Sequence, residues 1–498
     1  MAGVTVDQRA VRPAERTVTE RSVAERTVVE HAVTVRRRVP AVRAPGEPAE
    51  RRWLIFAIVS LGLMMASVDQ TIVATALPTL QRDLDAQVNW SSWTITIYAL
   101  GQILVMPLAG RFGDQFGRKR IFVGAAVLFT VASLCCGLAN DIYLLVALRA
   151  VQAIGGGAFM PSATGIVAEQ FGPNRDRALA LFASVFPIGG ILGPVLGGIV
   201  LTYWSWRGIF LVNVPIGILL VAFASLLIPR TERHVGGRLD GLGILLVGTT
   251  LLPAMFGIAY LGSGSASLVS PAFVLPEVLA AISLVLFLRH SRRAPAPFIP
   301  ARLLIGRGFG VMNLLNFLYG AAALGFGALV PLYAEQRFGI GSLQAGTLLT
   351  ARAVGMISTA ALAALLLRRT GHRWPMVIGY VIVIVGMLGL AYGPAGGVSA
   401  YLWLAAAAAV SGVGMGTATP ASNNASMSLA PDSAAAIAGL RGMFRQTGGI
   451  TAISVTTAFL ARAADPGLAQ AWVFVVFAGV LAAALPLIRR VPDTHAGW

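Results

Sequence analysis

From Trp53 almost to its C-terminus, the chain passes through roughly fourteen apolar stretches, each near the length of about 20 residues that a helix needs to cross a hydrocarbon core. Only a few ionisable residues lie inside them. Hydrophobic residues make up 56% of the 498-residue chain and charged residues 12%, against about 25% charged in an ordinary soluble domain. An all-α polytopic membrane protein is therefore expected, and the polar groups within its spans are the first candidates for function. The spans are expected at about 53–78, 91–110, 121–139, 142–166, 179–203, 209–228, 241–262 and 272–289, then at 309–334, 344–367, 374–393, 401–419, 434–461 and 470–488.

The formal net charge of +17 would suit a nucleic-acid partner, but its placement argues against one. Nearly all of it is arginine, Lys119 being the sole lysine, and it gathers in short runs between spans: Arg118-Lys119-Arg120, Arg292-Arg293, Arg368-Arg369 and Arg489-Arg490. Alternate connections, such as those after Leu261 and Gly393, carry few or none. This asymmetry places the basic loops in the cytoplasm. An even number of spans with a basic tail at each end puts both termini there too. Cys135 and Cys136 are adjacent within an apolar stretch, which excludes a disulfide framework and suits small packing residues. His31, His234, His290, His372 and His495 all fall in tails or loops, so no histidine metal site or proton relay is expected inside the membrane, and no cofactor. No Gly-x4-Gly-Lys-Ser/Thr loop occurs, which argues against direct drive by ATP.

Residues 1–52 differ in kind. They hold a pentad echo, Glu15-Arg16-Thr17-Val18, Glu20-Arg21-Ser22-Val23 and Glu25-Arg26-Thr27-Val28. A period of five matches neither a helix stripe nor a strand face. The segment is expected to be a disordered cytoplasmic arm or an overextended start; it is too charged for a signal peptide, and its first apolar run begins too late. Farther on, Pro295, Pro297 and Pro300 mark a longer polar connection from His290 to Arg307. A glycine turn followed by basic residues recurs, first in Gly113–Arg120 and again in Arg368-Arg369-Thr370-Gly371-His372-Arg373. Duplicated halves with a binding site between them at mid-membrane are a common transporter plan.

Four motifs stand out. The connection Gly110-Arg111-Phe112-Gly113-Asp114-Gln115-Phe116-Gly117-Arg118-Lys119-Arg120 has glycines for a tight turn, cations to hold it in the cytoplasm, and an aspartate able to pair with Arg or a helix N-terminus. In the fifth span, Gly189, Gly193-Pro194 and Gly197-Gly198 place small residues four apart for close helix approach, with a proline favouring a bend. Asp69 leads Asp69-Gln70-Thr71-Ile72-Val73-Ala74-Thr75-Ala76-Leu77-Pro78, and Arg149 precedes Gln152 and Gly155-Gly156-Gly157. Trp93 with Tyr98, and Trp206-Arg207 leading to Asn213-Val214-Pro215-Ile216-Gly217, agree with these.

In this order the motifs resemble the major facilitator superfamily, and within it the fourteen-helix drug:proton antiporters, over essentially residues 53–488. The resemblance implies the major facilitator fold with about 14 transmembrane helices: a six-helix half at 53–228, two additional helices and a linker at 229–307, a second six-helix half at 308–490 and a tail at 491–498. It also implies that Gly110, Gly113, Asp114, Gly117, Arg118, Lys119 and Arg120 latch the halves in one state, and that Gly189, Gly193, Pro194, Gly197 and Gly198 form the antiporter motif. Two positions depart from the pattern. Arg352 sits in the tenth span, where some exporters of dicationic drugs carry an acid, and Glu335 stands where relatives usually have a neutral amide.

A charge near the bilayer centre costs about 2.5–3.5 kcal/mol on insertion scales, so it usually has a partner and faces a cavity. Helices one and four face the central cavity in the family fold, which makes Asp69 and Arg149 the expected proton-coupling pair, with Glu335 the second acid. A nearby Arg149 favours the carboxylate while burial favours the protonated acid. Separation of the two during transport would let Asp69 take a proton. Trp93, Tyr98, Gln152, Asn213 and Arg352 are substrate-cavity candidates, as are Phe159 and Tyr319, whereas Glu277 reads as interfacial or structural and Arg441 and Arg445 as structural or snorkelling. The expected function is proton-coupled efflux of small amphipathic organic compounds such as antibiotics across the cytoplasmic membrane, by a monomer that is not an enzyme. Its partners would be the small-molecule substrate, protons and the lipid bilayer. The alternatives are a dedicated exporter of one endogenous metabolite and, more remotely, a non-transporting sensor or enzyme.

Overall fold

The computed structural model describes Gly3 and residues 49–491, apart from 87, 230–239, 262–266, 296, 307, 395–396, 431–433 and 461. The expected arm at 1–52 and tail at 491–498 thus lie almost wholly outside the described residues; residues 49–52 already form the first turn of a helix. Among the described residues the chain is helical throughout, with no strand. The helices are α1 (Ala49–Asp83), α2 (Val88–Phe116), α3 (Arg118–Gly137), α4 (Ile142–Phe171), α5 (Arg175–Ala183), α6 (Val185–Tyr203), α7 (Arg207–Leu211), α8 (Asn213–Leu227), α9 (Gly241–Leu261), α10 (Pro271–Arg293), α11 (Ala301–Ile305), α12 (Phe309–Gly320), α13 (Gly327–Phe338), α14 (Ser342–Thr370), α15 (Arg373–Tyr392), α16 (Ala400–Ser428), α17 (Ala434–Leu460) and α18 (Pro466–Ala484).

Eleven described segments are long and apolar enough to cross a membrane, and a bent pair, Phe309–Gly325 with Leu329–Phe338, makes a twelfth. The helices α14 and α17, 29 and 27 residues long, lie in the same bundle and carry Arg352, Arg441 and Arg445. Helix starts follow local chemistry. Asp141 and Asp465 each accept a hydrogen bond, 2.9 Å long, from the backbone N–H three residues on, satisfying a donor the helix leaves free. The recurring turn is real in backbone terms: Gly117, between α2 and α3, has φ +98°, and Gly371, between α14 and α15, has φ +67°. Both are conformations that a side chain disfavours.

Two breaks fall where no simple reading of the sequence puts them. The fifth span is interrupted at Ser184, between α5 and α6, and then runs unbroken through Pro194. The ninth is wound as a π-helix over Ala321–Phe326, and its two arms meet at 50°. Such wide turns leave a carbonyl short of its usual partner and concentrate at functional positions.

Separate apolar cores fill the two halves. Tyr98, Phe122, Phe129 and Phe159 anchor one, and Tyr333, Tyr380 and Phe474 the other. The first core also takes in Ala434, Ile437 and Ala438 of α17, so the halves meet tightly at the end of the bundle that bears Arg118–Arg120. There a Cβ on Gly110 of α2 would lie 2.6 Å from the Ala435 carbonyl oxygen. The pair α9–α10 packs on itself and along the seam between α2 and α17, where Val247, Met255 and Phe287 close over Leu100, Ile103, Leu440 and Met443. Asp240 fastens this pair: it accepts hydrogen bonds of 2.9 Å from Gly243 N–H and from Phe298 N–H, and lies 2.7 Å from His290 Nε2. Burial pushes the Asp240 carboxyl up, but those three donors outweigh it and hold the group below its ordinary value.

Candidate functional site: a buried acid–arginine network

Asp69 and Arg149, 80 residues apart on α1 and α4, are both fully buried, and Arg149 Nη1 donates to Asp69 Oδ2 at 2.6 Å. The other carboxylate oxygen accepts from Gln152 Nε2 at 3.0 Å and from Asn213 Nδ2 at 3.1 Å. Ser133 Oγ, on α3, accepts from the same two amides at 3.0 and 3.2 Å and donates to the Phe210 carbonyl at 3.1 Å. Arg149 further donates from Nη1 to Gln152 Oε1 at 2.6 Å and from Nε to the Thr94 carbonyl at 3.1 Å, and its guanidinium lies 4.0 Å from the centre of the Tyr98 ring. Five elements of the first half thus converge on one carboxylate. Charge-assisted bonds of this kind are the strong ones.

Two atoms of the network are unsatisfied among the described residues, Arg149 Nη2 and Tyr98 Oη. Tyr98 Oη faces the Asp69 carboxylate and the Gln102 amide without a hydrogen bond of good geometry to either. A network with spare donors has an alternative pairing within reach.

The fifth-span glycines bear directly on α1, the helix that carries Asp69. A Cβ on Gly189 would meet Ser67, one on Gly193 would overlap Thr71 Oγ1, and one on Gly197 would overlap Thr75 Oγ1. The two helices therefore touch at every turn, small residue against hydroxyl residue. Ser67 Oγ donates across this contact to the Phe186 carbonyl at 2.5 Å. Gly198 points into open space and takes no part, and Pro194 lies within the unbroken helix rather than at a break.

At the basic end, Arg118 is the hub. It bonds Asp114 Oδ1 at 3.0 Å, Glu169 Oε1 at 2.9 Å and the Gly165 carbonyl at 2.8 Å, tying α2, α3 and α4 together. Lys119 donates to the Ser225 carbonyl at 2.7 Å, Gly113 packs on Arg118, and Arg120 is exposed. Glu169 has no place in the motif as read from sequence; only the fold brings it to Arg118.

The remaining candidates separate. Tyr98, Gln152 and Asn213 belong to the buried network and show no surface to a cavity. Trp93 stacks on Phe256 of α9 at 5.8 Å, and Phe159 is core, edge-on to Phe122 and Phe129. Glu335, half-buried on α13, makes no ion pair with Arg149 or any other described residue. Glu277 fits against Gly257 between α9 and α10. Arg352 reaches the π-wound segment and donates from Nη1 to the Ala323 carbonyl at 2.8 Å; a Cβ on Gly327 would overlap that nitrogen. Arg441 and Arg445 do not snorkel to an end of the bundle. They turn inward to α12, where Arg441 Nη2 bonds Asn316 Oδ1 at 3.2 Å and Arg445 lies between the rings of Phe186 and Tyr319.

Bundle and network together define a polytopic helical membrane protein with a dry, charged pair in one half. The family model of the Major Facilitator Superfamily matches residues 59–453 and again 312–497, and the chain belongs to that superfamily. It is a multi-pass membrane transporter of small molecules rather than an enzyme. It is 30% identical over 393 residues to the multidrug resistance protein B homolog of Mycobacterium tuberculosis, covering 78% of this chain and 72% of the relative. It is 27% identical to the riboflavin transporter RibZ of Clostridioides difficile, over 69% of this chain and 74% of that one. Across these and other curated relatives the match spans from 51% to 74% of the relative's length. The crystal structure of the human organic anion transporter MFSD10 has the same fold, with a TM-score of 0.65 at 16% identity, covering 89% of this chain and all of that one.

Proposed function

We propose that the chain is a proton-coupled exporter of small amphipathic organic compounds, with fourteen spans arranged as two six-helix halves at 53–228 and 308–490 and the inserted pair between them. Both termini would then be cytoplasmic, as the basic loops suggest. The observation that carries the reading is the enclosed Asp69–Arg149 pair at 2.6 Å, on a helix gripped along its length by the glycines of α6. In the present arrangement Arg149, Gln152 and Asn213 all donate to the carboxylate. A shift of α1 against α4 would remove those donors and let Asp69 take a proton. Return of the donors expels it. Movement of α6 against α1 links that cycle to the rocking of the halves, and Arg118 with Asp114 and Glu169 stabilises the state in which the basic end is closed. Protons would be the driving ion, with no need of ATP.

The name of the multidrug relative supports broad efflux, while the riboflavin transporter supports a second reading, export of one metabolite by the same coupling. Uptake of a panel of compounds into everted vesicles separates the two: a broad exporter takes up several unrelated compounds, a dedicated one at most a single metabolite. Under an imposed pH gradient, Asp69→Asn is expected to abolish uptake into such vesicles while protein levels in the membrane hold. Uptake that continues at the wild-type rate removes Asp69 from the coupling step.

A further inference from the structure

Across the seam from the network, three arginines converge on α12 and its π-wound continuation. Arg441 and Arg445 lie one turn apart on α17 and so share a helix face. Asn316 holds the first, and the second sits 5.3 Å from the Phe186 ring of the first half and 5.9 Å from the Tyr319 ring of the second. Arg352 approaches the same helix one turn beyond Tyr319, at Ala323.

No carboxylate among the described residues pairs with any of them. Arg441 is only 8% exposed, yet its Nε has no hydrogen-bond partner, and Arg352 Nε is likewise unpartnered. Tyr319, Arg445 and Phe186 lie mid-bundle yet are only half-buried, although Phe186 belongs to one half and the other two to the other. Three guanidiniums so placed, with free donors and no counter-charge, are a poor arrangement for an empty site and a good one for a site that receives an anion.

We infer that the space between the halves binds the negatively charged headgroup of an aromatic or otherwise flat apolar substrate, with Arg441 and Arg445 as the charge-recognising groups. Arg352 adds to the field while fixing the π-wound bend. The ring of Phe186 and that of Tyr319 take the apolar body. This deepens the transport reading, since it assumes that the seam is the substrate's path, and it names the class: organic anions carrying a carboxylate, sulfonate or phosphate.

Equilibrium binding to the purified full-length protein in neutral detergent, with radiolabelled naphthoate, tests this. Naphthamide and naphthylmethylammonium present a similar ring without charge and with the opposite charge. Naphthoate is expected to bind at least about tenfold tighter than either. Arg441→Gln and Arg445→Gln are each expected to lower naphthoate affinity about tenfold and to leave naphthamide unchanged, while Arg445→Lys keeps part of the preference. Equal affinities for the three ligands, preference for the cation, or no naphthoate binding would overturn the inference. So would naphthoate binding that survives the double Gln variant, or its displacement by stoichiometric phosphatidylglycerol, which would assign the arginines to a lipid headgroup. The wild-type comparison needs no mutation, so it decides the matter even if a Gln variant fails to fold. With no pH gradient present, it also reads the site whether or not protons drive transport.

Discussion

In the first half Arg149 is enclosed with Asp69 and its charge is answered within the protein, whereas Arg352, Arg441 and Arg445 in the second half meet carbonyls, an amide and aromatic faces but, among the described residues, no acid. Burying an ion costs several kcal/mol even after relaxation, and a partner with good geometry offsets that cost. The first half meets that cost internally, through Asp69. Under the proposals above, proton coupling would fall to the first half and recognition of the substrate's charge to the second.

The sharpest way to break this comparison is to remove one arginine from each half. Arg149→Gln strands Asp69 in a dry site and is expected to cost about 3–5 kcal/mol, seen as a large fall in the thermal unfolding midpoint in detergent. Arg441→Gln removes a charge that had no partner and is expected to be near neutral or stabilising in the same measurement. Equal losses would show that the two halves do not differ in the way described. The neutral double variant Asp69→Asn with Arg149→Gln should recover part of the stability lost in the single one, without recovering pH-driven uptake.

A smaller effect sharpens the link between α6 and α1. Gly193→Val drives two methyls into Thr71 and is expected to cost about 1–3 kcal/mol, with slower uptake in vesicles; Gly198→Val, at a position facing open space, should do neither. Smaller still, Ser133→Ala removes the group that steadies Gln152 and Asn213 and is expected to cost about 1 kcal/mol. The least is outside the halves altogether. Because Asp240 is held below its ordinary value, its contribution to stability is present above about pH 4 and is lost as pH falls through the folded value. Asp240→Asn should therefore flatten the acid limb of the stability curve and leave neutral-pH transport unchanged.

Twelve of the fourteen expected spans were legible, because apolar length is a one-dimensional signal; those at 344–367 and 434–461 are helices that carry Arg352, Arg441 and Arg445. Asp69 and Arg149 could be paired because each is a rare charge in an apolar run, and rare buried charges seek one another. Ser133 gave no sign, since a lone serine in an apolar helix is ordinary until the fold points it at two amides. Glu169 and the Asp240–His290 contact were equally silent, their residues being far apart and individually unremarkable in composition. For Arg441 and Arg445 the sequence left structural and snorkelling readings open, because a position near the cytoplasmic end says nothing of which way the helix is turned. The rotation of α17 toward α12 depends on its close packing against α2, where Gly439 meets Met106 and Pro107, and no local pattern encodes that.

The inserted pair α9–α10 lies over the α2–α17 seam and is fastened there by Asp240. On that flank the protein is a wall two layers deep, sealed by interlocking hydrocarbon. Under the proposed transport reading, a greasy molecule travelling sideways through the lipid would meet that wall on this side and would enter where α6 packs against α14. Two helices that touch neither the acid nor the arginines would thus decide the direction from which cargo arrives.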